Sequence, residues 1–272
     1  MPMAALASDG LMAAALTRLG DEQGALRALE RAADLDPRNA ELRCLLADAQ
    51  KSLDHKREAL NSYREALRLD PGYVPAYVNL GNLCAEMGHF DVAVRTYSHA
   101  LRIAPTCASA LISRGTTFLR INLVEEARRD FEKAVELEPG NSLAQANYAA
   151  CQVICGDNVK ALEALNSALR MAPDNLHISY NKALFMLGLG DYEKGWPLFE
   201  VRHQIQNRGF VGPADRAWRG EQALAGKTLL LHAEQGLGDT IQFCRYATLA
   251  AERGARVLLL VPRPLKRLMQ TL

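Results

Sequence analysis

From Gln235 through Thr240 the chain reads Gln-Gly-Leu-Gly-Asp-Thr, which sets Asp239 beside two glycines, Gly236 and Gly238. A carboxylate at a strand-to-helix turn can reach the cleft above a parallel sheet and take a proton there. Asp239 suits equally well the cap of a helix beginning at Thr240. The glycines suit a tight turn with or without a ligand, and Gln235 and Gln242 can bond either backbone or substrate.

Two phosphate-binding readings of the same region fail on spacing. Gly226-Lys227-Thr228 ends like a phosphate loop, but the position five residues before Gly226 is Glu221, and the tripeptide precedes an apolar run instead of following one. Gly236-x-Gly238 begins like a dinucleotide fingerprint, but its third glycine position is Ile241 and no acidic residue follows Val261 to hold a ribose hydroxyl. The six cysteines include no Cys-x-x-Cys pair, Cys151 and Cys155 being four apart. The six histidines form no His-x-x-x-His pair. No metal site is expected, and the cysteines read as reduced and structural.

The elements around Asp239 follow from apolar patterning. Residues 228–233 and 256–261 read as buried strands, residues 234–240 as a glycine-rich turn, and residues 241–253 as a helix, with another helix from Pro264. Strand, turn, helix and strand make a βαβ unit with a parallel sheet.

Upstream the chain repeats itself. Pro37, Pro71, Pro105, Pro139 and Pro173 stand thirty-four residues apart, the period of a helix–turn–helix repeat. With each proline at position 32, the units are 6–39, 40–73, 74–107, 108–141 and 142–175, and a further frame covers 176–209. Position 8 holds Ala13, Ala47, Gly81, Gly115, Ala149 and Ala183; position 20 holds Ala25, Ala59, Ala93, Ala127, Ala161 and Gly195. Two antiparallel helices approach closely where such small residues recur, and Tyr63, Tyr97, Phe131 and Phe199 at position 24 fill the space between. Position 15 holds Gly20, Asp54, Gly88, Asn122, Gly156 and Gly190, types that tolerate the left-handed turn ending a helix. The proline ends the second helix. In the last frame Asn207 replaces the proline, Arg202 replaces the alanine of position 27, and Pro197 falls within the second helix, so the array is expected to end there.

Position 6 of the first helix reads Leu11, Leu45, Asn79, Ser113, Asn147 and Asn181, with Asn82 at position 9. First helices line the concave face of stacked repeats. An amide there offers a donor and an acceptor to a peptide unit of any sequence, or it bonds a neighbouring helix instead.

These residues resemble the tetratricopeptide repeat family across residues 6–200. The resemblance implies a mostly α chain whose helix pairs form a right-handed α-solenoid, followed by a short partial α/β segment. It also implies a scaffold that binds a peptide or protein in its groove. The asparagines are similar to the ladder in the repeats of O-linked N-acetylglucosamine transferases, which grips extended peptides; two leucines and a serine interrupt it here.

Gly195-Trp-Pro-Leu-Phe-Glu-Val-Arg202, Trp218-x-Gly220 and the stretch from His232 through Tyr246 resemble bacterial proteins joining such repeats to a glycosyltransferase domain. Gly238-Asp239-Thr240 is similar to the first-loop motif of lipopolysaccharide heptosyltransferases. That likeness implies two facing Rossmann-like domains, Asp239 as the base that deprotonates the acceptor hydroxyl, and a nucleotide-sugar donor held largely by the second domain. Trp196 and Trp218 then serve either as packing residues or as sugar platforms.

The expected organisation is a repeat array over 6–209, a linker over 210–226 and the first βαβ of an incomplete Rossmann-like domain over 227–272. Only 46 residues follow Gly226, and two strands make no self-sufficient sheet. The chain therefore reads as part or remnant of a longer enzyme, with no cofactor of its own and little transferase activity alone. Self-association through the βαβ segment, or its packing on the repeat array, is a further expectation.

A net charge of +1, from 32 basic and 31 acidic residues, gives no general pull toward nucleic acid. Residues 1–16 read as the first repeat helix and not as a signal peptide. No apolar run approaches the ~20 residues that span a bilayer, and a cytoplasmic location is expected.

Overall fold

The computed structural model describes residues 12, 16, 18–205, 217–218, 220, 222–234 and 236–271. Most of the expected first helix over residues 1–16, Asn207, most of the expected linker and Gln235 lie outside the described residues. The chain divides into two compact units, Met1–Phe185 and Met186–Leu272.

The first unit is a run of antiparallel helix pairs. Helix α1 (Glu22–Leu35) is followed by α2 (Ala40–Ser52) with α3 (Lys56–Leu69), α4 (Val74–Glu86) with α5 (Phe90–Ile103), α6 (Ala108–Arg120) with α7 (Val124–Leu137), and α8 (Ser142–Cys155) with α9 (Asn158–Met171). Helix α10 (Leu176–Gly188) begins the next pair. From α1 to α9 each helix packs on its neighbours in sequence, and the first helices α2, α4, α6 and α8 also adjoin in succession.

Local chemistry sets these boundaries. Asp36, Asp70, Ala104, Glu138 and Ala172 end the second helices immediately before the ladder prolines. Each donates its backbone N–H to the carbonyl of the position-27 alanine. Their ψ angles of 73–97° are the extended backbone that a following proline imposes. Asn39, Asn141 and Asn175 start first helices by accepting hydrogen bonds from Leu42, Ala144 and Ile178 N–H at 3.1, 3.0 and 3.2 Å. All six residues at position 15 have positive φ, between 62° at Asp54 and Asn122 and 81° at Gly88.

The core is a chain of small clusters, each joining successive helices. Ala59 and Ala66 of α3 and Tyr63 are fully buried with Ala47, Ala76 and Leu83; Tyr97 and Phe131 occupy the same place in the next two repeats. A Cβ at Gly81 would lie 2.4 Å from Tyr97 Cε1, and one at Gly115 2.8 Å from Phe131 Cε1. In those two repeats the absent side chain lets the aromatic ring lie against the helix backbone.

The second unit holds α11 (Tyr192–Phe199), α12 (Arg202–Ile205), β1 (Thr228–His232), α13 (Leu237–Phe243), α14 (Tyr246–Glu252), β2 (Arg256–Leu260), a 3-10 turn (Arg263–Leu265) and α15 (Lys266–Met269). Pro197 lies inside α11, which ends two residues later. Strands β1 and β2 pair in parallel, Leu230 opposite Leu258.

Three expectations are corrected here. Leu237 through Thr240 are helical, not part of a turn, because Gly236 in extended backbone starts the helix and Thr240 Oγ donates to the Gly236 carbonyl at 3.0 Å. The single helix expected over 241–253 is two, broken at Cys244 and Arg245. The strands are not buried on both faces: Leu229 and Val257 pack on a small core of Leu224, Ala250 and Ala255, while Leu230, Leu258 and Leu260 are exposed.

Candidate functional site

Positions 2, 6, 9 and 13 of a first helix follow an i, i+4, i+7, i+11 spacing and so share one side of it. In α8 these are Leu143, Asn147, Ala150 and Ile154. Leu143 is 57% and Ile154 59% exposed, whereas Ala146 and Ala149 on the other side enter the core. The face formed by these positions in successive first helices is termed the A face.

The four asparagines fall into two kinds. Asn79 donates from Nδ2 to both carboxylate oxygens of Asp48 in the preceding first helix, at 2.9 and 3.2 Å. Asp48 also accepts from the Tyr63 hydroxyl. Asn82 accepts from the Tyr97 hydroxyl at 2.8 Å. By contrast, the amides of half-buried Asn147 and exposed Asn181 have no hydrogen-bond partner among the described residues.

The engaged pair has a structural cause. Position 24 carries a tyrosine in the second and third repeats, and its hydroxyl meets position 9 of its own first helix, Asp48 or Asn82. In the fourth and fifth repeats position 24 is Phe131 or Leu165, and position 9 is Thr116 or Ala150. No hydroxyl then arrives from position 24. Asp48 is the residue that motif reading missed; the co-occurrence of Tyr63 at position 24 with an acceptor at position 9 was the available signal.

Electrostatics follow burial. Burial pushes the Asp48 carboxyl above its ordinary range, against hydrogen bonding from Tyr63, the charge of Lys51 and hydrogen bonding from Asn79. Burial, aided by the charge of Asp48, pushes the Cys44 thiol up to about 12, and burial does the same to Cys151. Neither is a thiolate nucleophile near neutral pH.

Within the second unit, Gly238, Asp239 and Thr240 lie in the first turn of α13, with Gly236 as its cap. Asp239 is half-buried; a Cβ at Gly236 would lie 3.6 Å from its Oδ2. Trp218 packs on the small core and donates from Nε1 to the Gln222 carbonyl at 2.9 Å, while Trp196 is exposed and meets Phe199 edge-on. Arg202 explains its own departure from the repeat. It donates from Nε and Nη2 to Glu234 at 2.8 and 3.2 Å, donates from Nη1 to Glu200 at 2.8 Å, and lies 4.6 Å over the Phe199 ring. Burial lowers its pKa, but the bonds to Glu234 and Glu200 outweigh that and hold it above the ordinary arginine value.

Among the described residues no His, Cys, Asp and Glu side chains gather as a metal-binding group, and no helix is long and apolar enough to cross a membrane.

Family models for the tetratricopeptide repeat match residues 38–106 and 78–142. Protein FlbA of Caulobacter vibrioides is 34% identical over 113 residues, which are 39% of this chain and 19% of FlbA; the chain thus spans less than a fifth of that relative. Among solved structures, TTC0263, a thermophilic TPR protein of Thermus thermophilus, is 22% identical with a TM-score of 0.58, covering 67% of this chain and 99% of that one. Pseudomonas aeruginosa pilF is 16% identical with a TM-score of 0.66, covering 76% and 94%. YrrB, a TPR protein with an unusual peptide-binding site, is 22% identical with a TM-score of 0.51, covering 66% and 93%. Residues 38–142 thus match tetratricopeptide repeats, and the mostly helical fold is that of a TPR-like solenoid.

Proposed function

We propose that the chain is a protein-interaction scaffold whose A face holds an extended peptide segment of a partner protein, chiefly along α8 and α10. The observation that carries this is the division among the asparagines. Asn79 and Asn82 are engaged within the protein, whereas Asn147 and Asn181 have no hydrogen-bond partner among the described residues and stand beside exposed Leu143, Ile154 and Leu184. A free amide satisfies one N–H and one C=O of a peptide, and the flanking aliphatic groups bury its apolar side chains. That YrrB has a peptide-binding site on a similar fold supports the reading.

The test is a displayed peptide library panned on the chain. Binders rich in Leu, Ile or Val are expected, and Asn147→Ala with Asn181→Ala should weaken them roughly tenfold, the worth of one or two neutral hydrogen bonds. Asn147→Ala with Asn181→Ala leaving affinity intact would refute it.

The parallel pairing of β1 and β2, with Asp239 in the first turn of the helix after β1, favours a second reading for the second unit. Here it begins a Rossmann-like domain of a longer glycosyltransferase, with Asp239 as acceptor base and a nucleotide sugar held by the parent protein. Asp239→Asn abolishing transfer to acceptor, with donor hydrolysis retained, would support it; full transfer by that variant would sink it. Exposed Leu230, Leu258 and Leu260 support self-association through this unit, which a concentration-independent monomer mass in sedimentation would disprove. The six free thiols support a cytoplasmic location, which thiol labelling in intact cells checks.

A further inference from the structure

Away from the A face, one side of α5 and the start of the next repeat enclose an open groove of about 570 Å³ lined by Val94, Arg95, Ser98, Leu101, Arg102 and Arg114. Three of its six lining residues are arginines. The first five lie on one side of α5. Arg114 of α6 stands at position 7, where the second, third and fifth repeats have Leu46, Leu80 and Tyr148.

Each guanidinium has donors to spare. Arg114 donates from Nε and Nη2 to Asp130 at 2.7 Å each, and from Nη1 to Ser98 Oγ at 2.9 Å. A guanidinium has five N–H groups, so two remain while the bidentate pair fixes the plane of the group. Arg102 meets no carboxylate among the described residues; its Nη2 lies 2.6 Å from Nδ1 of His99, whose ring stacks on Tyr77. Arg95 pairs with Asp91 at 3.0 Å, but both side chains are more than 70% exposed. Such an exposed pair is worth little and exchanges readily for a better partner. Val94 and Leu101 supply apolar surface between the charges.

We propose that this groove binds an acidic segment of a partner protein, its carboxylates received by Arg95, Arg102 and the spare N–H groups of Arg114, and an interleaved aliphatic side chain received by Val94 and Leu101. Guanidinium groups match carboxylates in planar, two-point geometry. The aliphatic surface favours a peptide over a free anion, because inorganic phosphate gains nothing from Val94 and Leu101. The site is separate from the A face and does not depend on the peptide reading given to it.

The experiment is fluorescence anisotropy on the full chain with a labelled, end-blocked hexapeptide of alternating glutamate and leucine. A glutamine-for-glutamate version and inorganic phosphate serve as comparators. The acidic peptide should bind with affinity that falls as salt rises, and the glutamine version should bind roughly tenfold more weakly or worse. Arg95→Ala with Arg102→Ala should cause a comparable loss while leaving the melting curve in place, since both side chains are exposed. Asn147→Ala with Asn181→Ala should change nothing. Absence of binding, equal binding of the glutamine peptide, or unchanged affinity in the double arginine variant would each overturn the proposal. Displacement by inorganic phosphate at concentrations below those of the peptide would assign the groove to a free anion and overturn the peptide assignment.

Discussion

The pair Arg114–Asp130 joins α6 to α7 where the second, third and fifth repeats use uncharged residues, and its removal yields a quantitative prediction. The Asp130 side chain is 8% exposed and that of Arg114 22%, and two 2.7 Å bonds join them. Breaking a buried pair by deleting one partner costs about 3–5 kcal/mol, because the other charge is left uncompensated. Asp130→Ala leaves a guanidinium with some access to water, so the loss should lie near the lower figure, about 3 kcal/mol. Arg114→Leu strands the more deeply buried carboxylate and should cost about 4–5 kcal/mol. The double change Arg114→Leu with Asp130→Thr installs the residues that Leu80 and Thr96 supply at the same positions one repeat earlier. It should be neutral, or more stable than the native chain by up to about 4 kcal/mol. Urea unfolding followed by far-ultraviolet circular dichroism gives the midpoints. Hydrogen exchange in α6 and α7 gives the local stability, since repeat arrays do not always unfold as one unit. The reasoning fails if Asp130→Ala costs less than about 1 kcal/mol, the worth of a surface pair, or if the double variant is worse than either single one.

Two further outcomes follow from geometry. Gly115→Ala places a Cβ 2.8 Å from Phe131 Cε1; overpacking of about 1–3 kcal/mol should outweigh a helix-propensity gain of about 1 kcal/mol, and denaturant midpoints will show whether Phe131→Leu relieves it. Burial raises the Asp48 carboxyl in the folded state, so the folded protein holds that proton more tightly than the unfolded chain. The ionised group then costs stability at neutral pH, and the cost disappears as pH falls through the raised value toward the ordinary carboxylate range. The stability of the native chain relative to Asp48→Asn should therefore rise on acidification from pH 7 to about pH 4; a difference that stays flat across this range contradicts the assignment.

The features legible in the sequence are those decided within a few residues. A proline forces its predecessor out of the helix, and position 15 must turn left-handed; both results follow from local sterics. What escaped depends on partners about one half or one whole repeat away. Arg202 looked like a flaw in position 27, and its reason, Glu234, lies 32 residues on. Arg114 and Asp130 are separated by 16 residues, and neither position is informative alone. At the glycine-rich run the composition suggested a turn, but an extended Gly236 is itself a sufficient helix start and brings Asp239 into the first turn.

The asparagine ladder shows why residue identity at a face does not measure what that face offers. Asn79 and Asn147 share position 6, yet among the described residues only the first is hydrogen-bonded to an acceptor at position 9 of the preceding repeat. That acceptor is Asp48, itself held by Tyr63; before Asn147 the corresponding residue is Thr116, whose hydroxyl turns back to the Ile112 carbonyl at 2.8 Å. Availability at position 6 is thus set by position 9 one repeat earlier, and position 9 by the ring at position 24. Along the array position 24 runs Tyr63, Tyr97, Phe131, Leu165, and position 9 runs Asp48, Asn82, Thr116, Ala150. Both series lose polarity in the same direction, so the amides tied up by the protein lie toward the N-terminal repeats and the free ones toward α8 and α10. A core substitution such as Leu165→Tyr would need a polar residue at Ala150 to receive its hydroxyl, which would change the face that a partner meets without altering any asparagine.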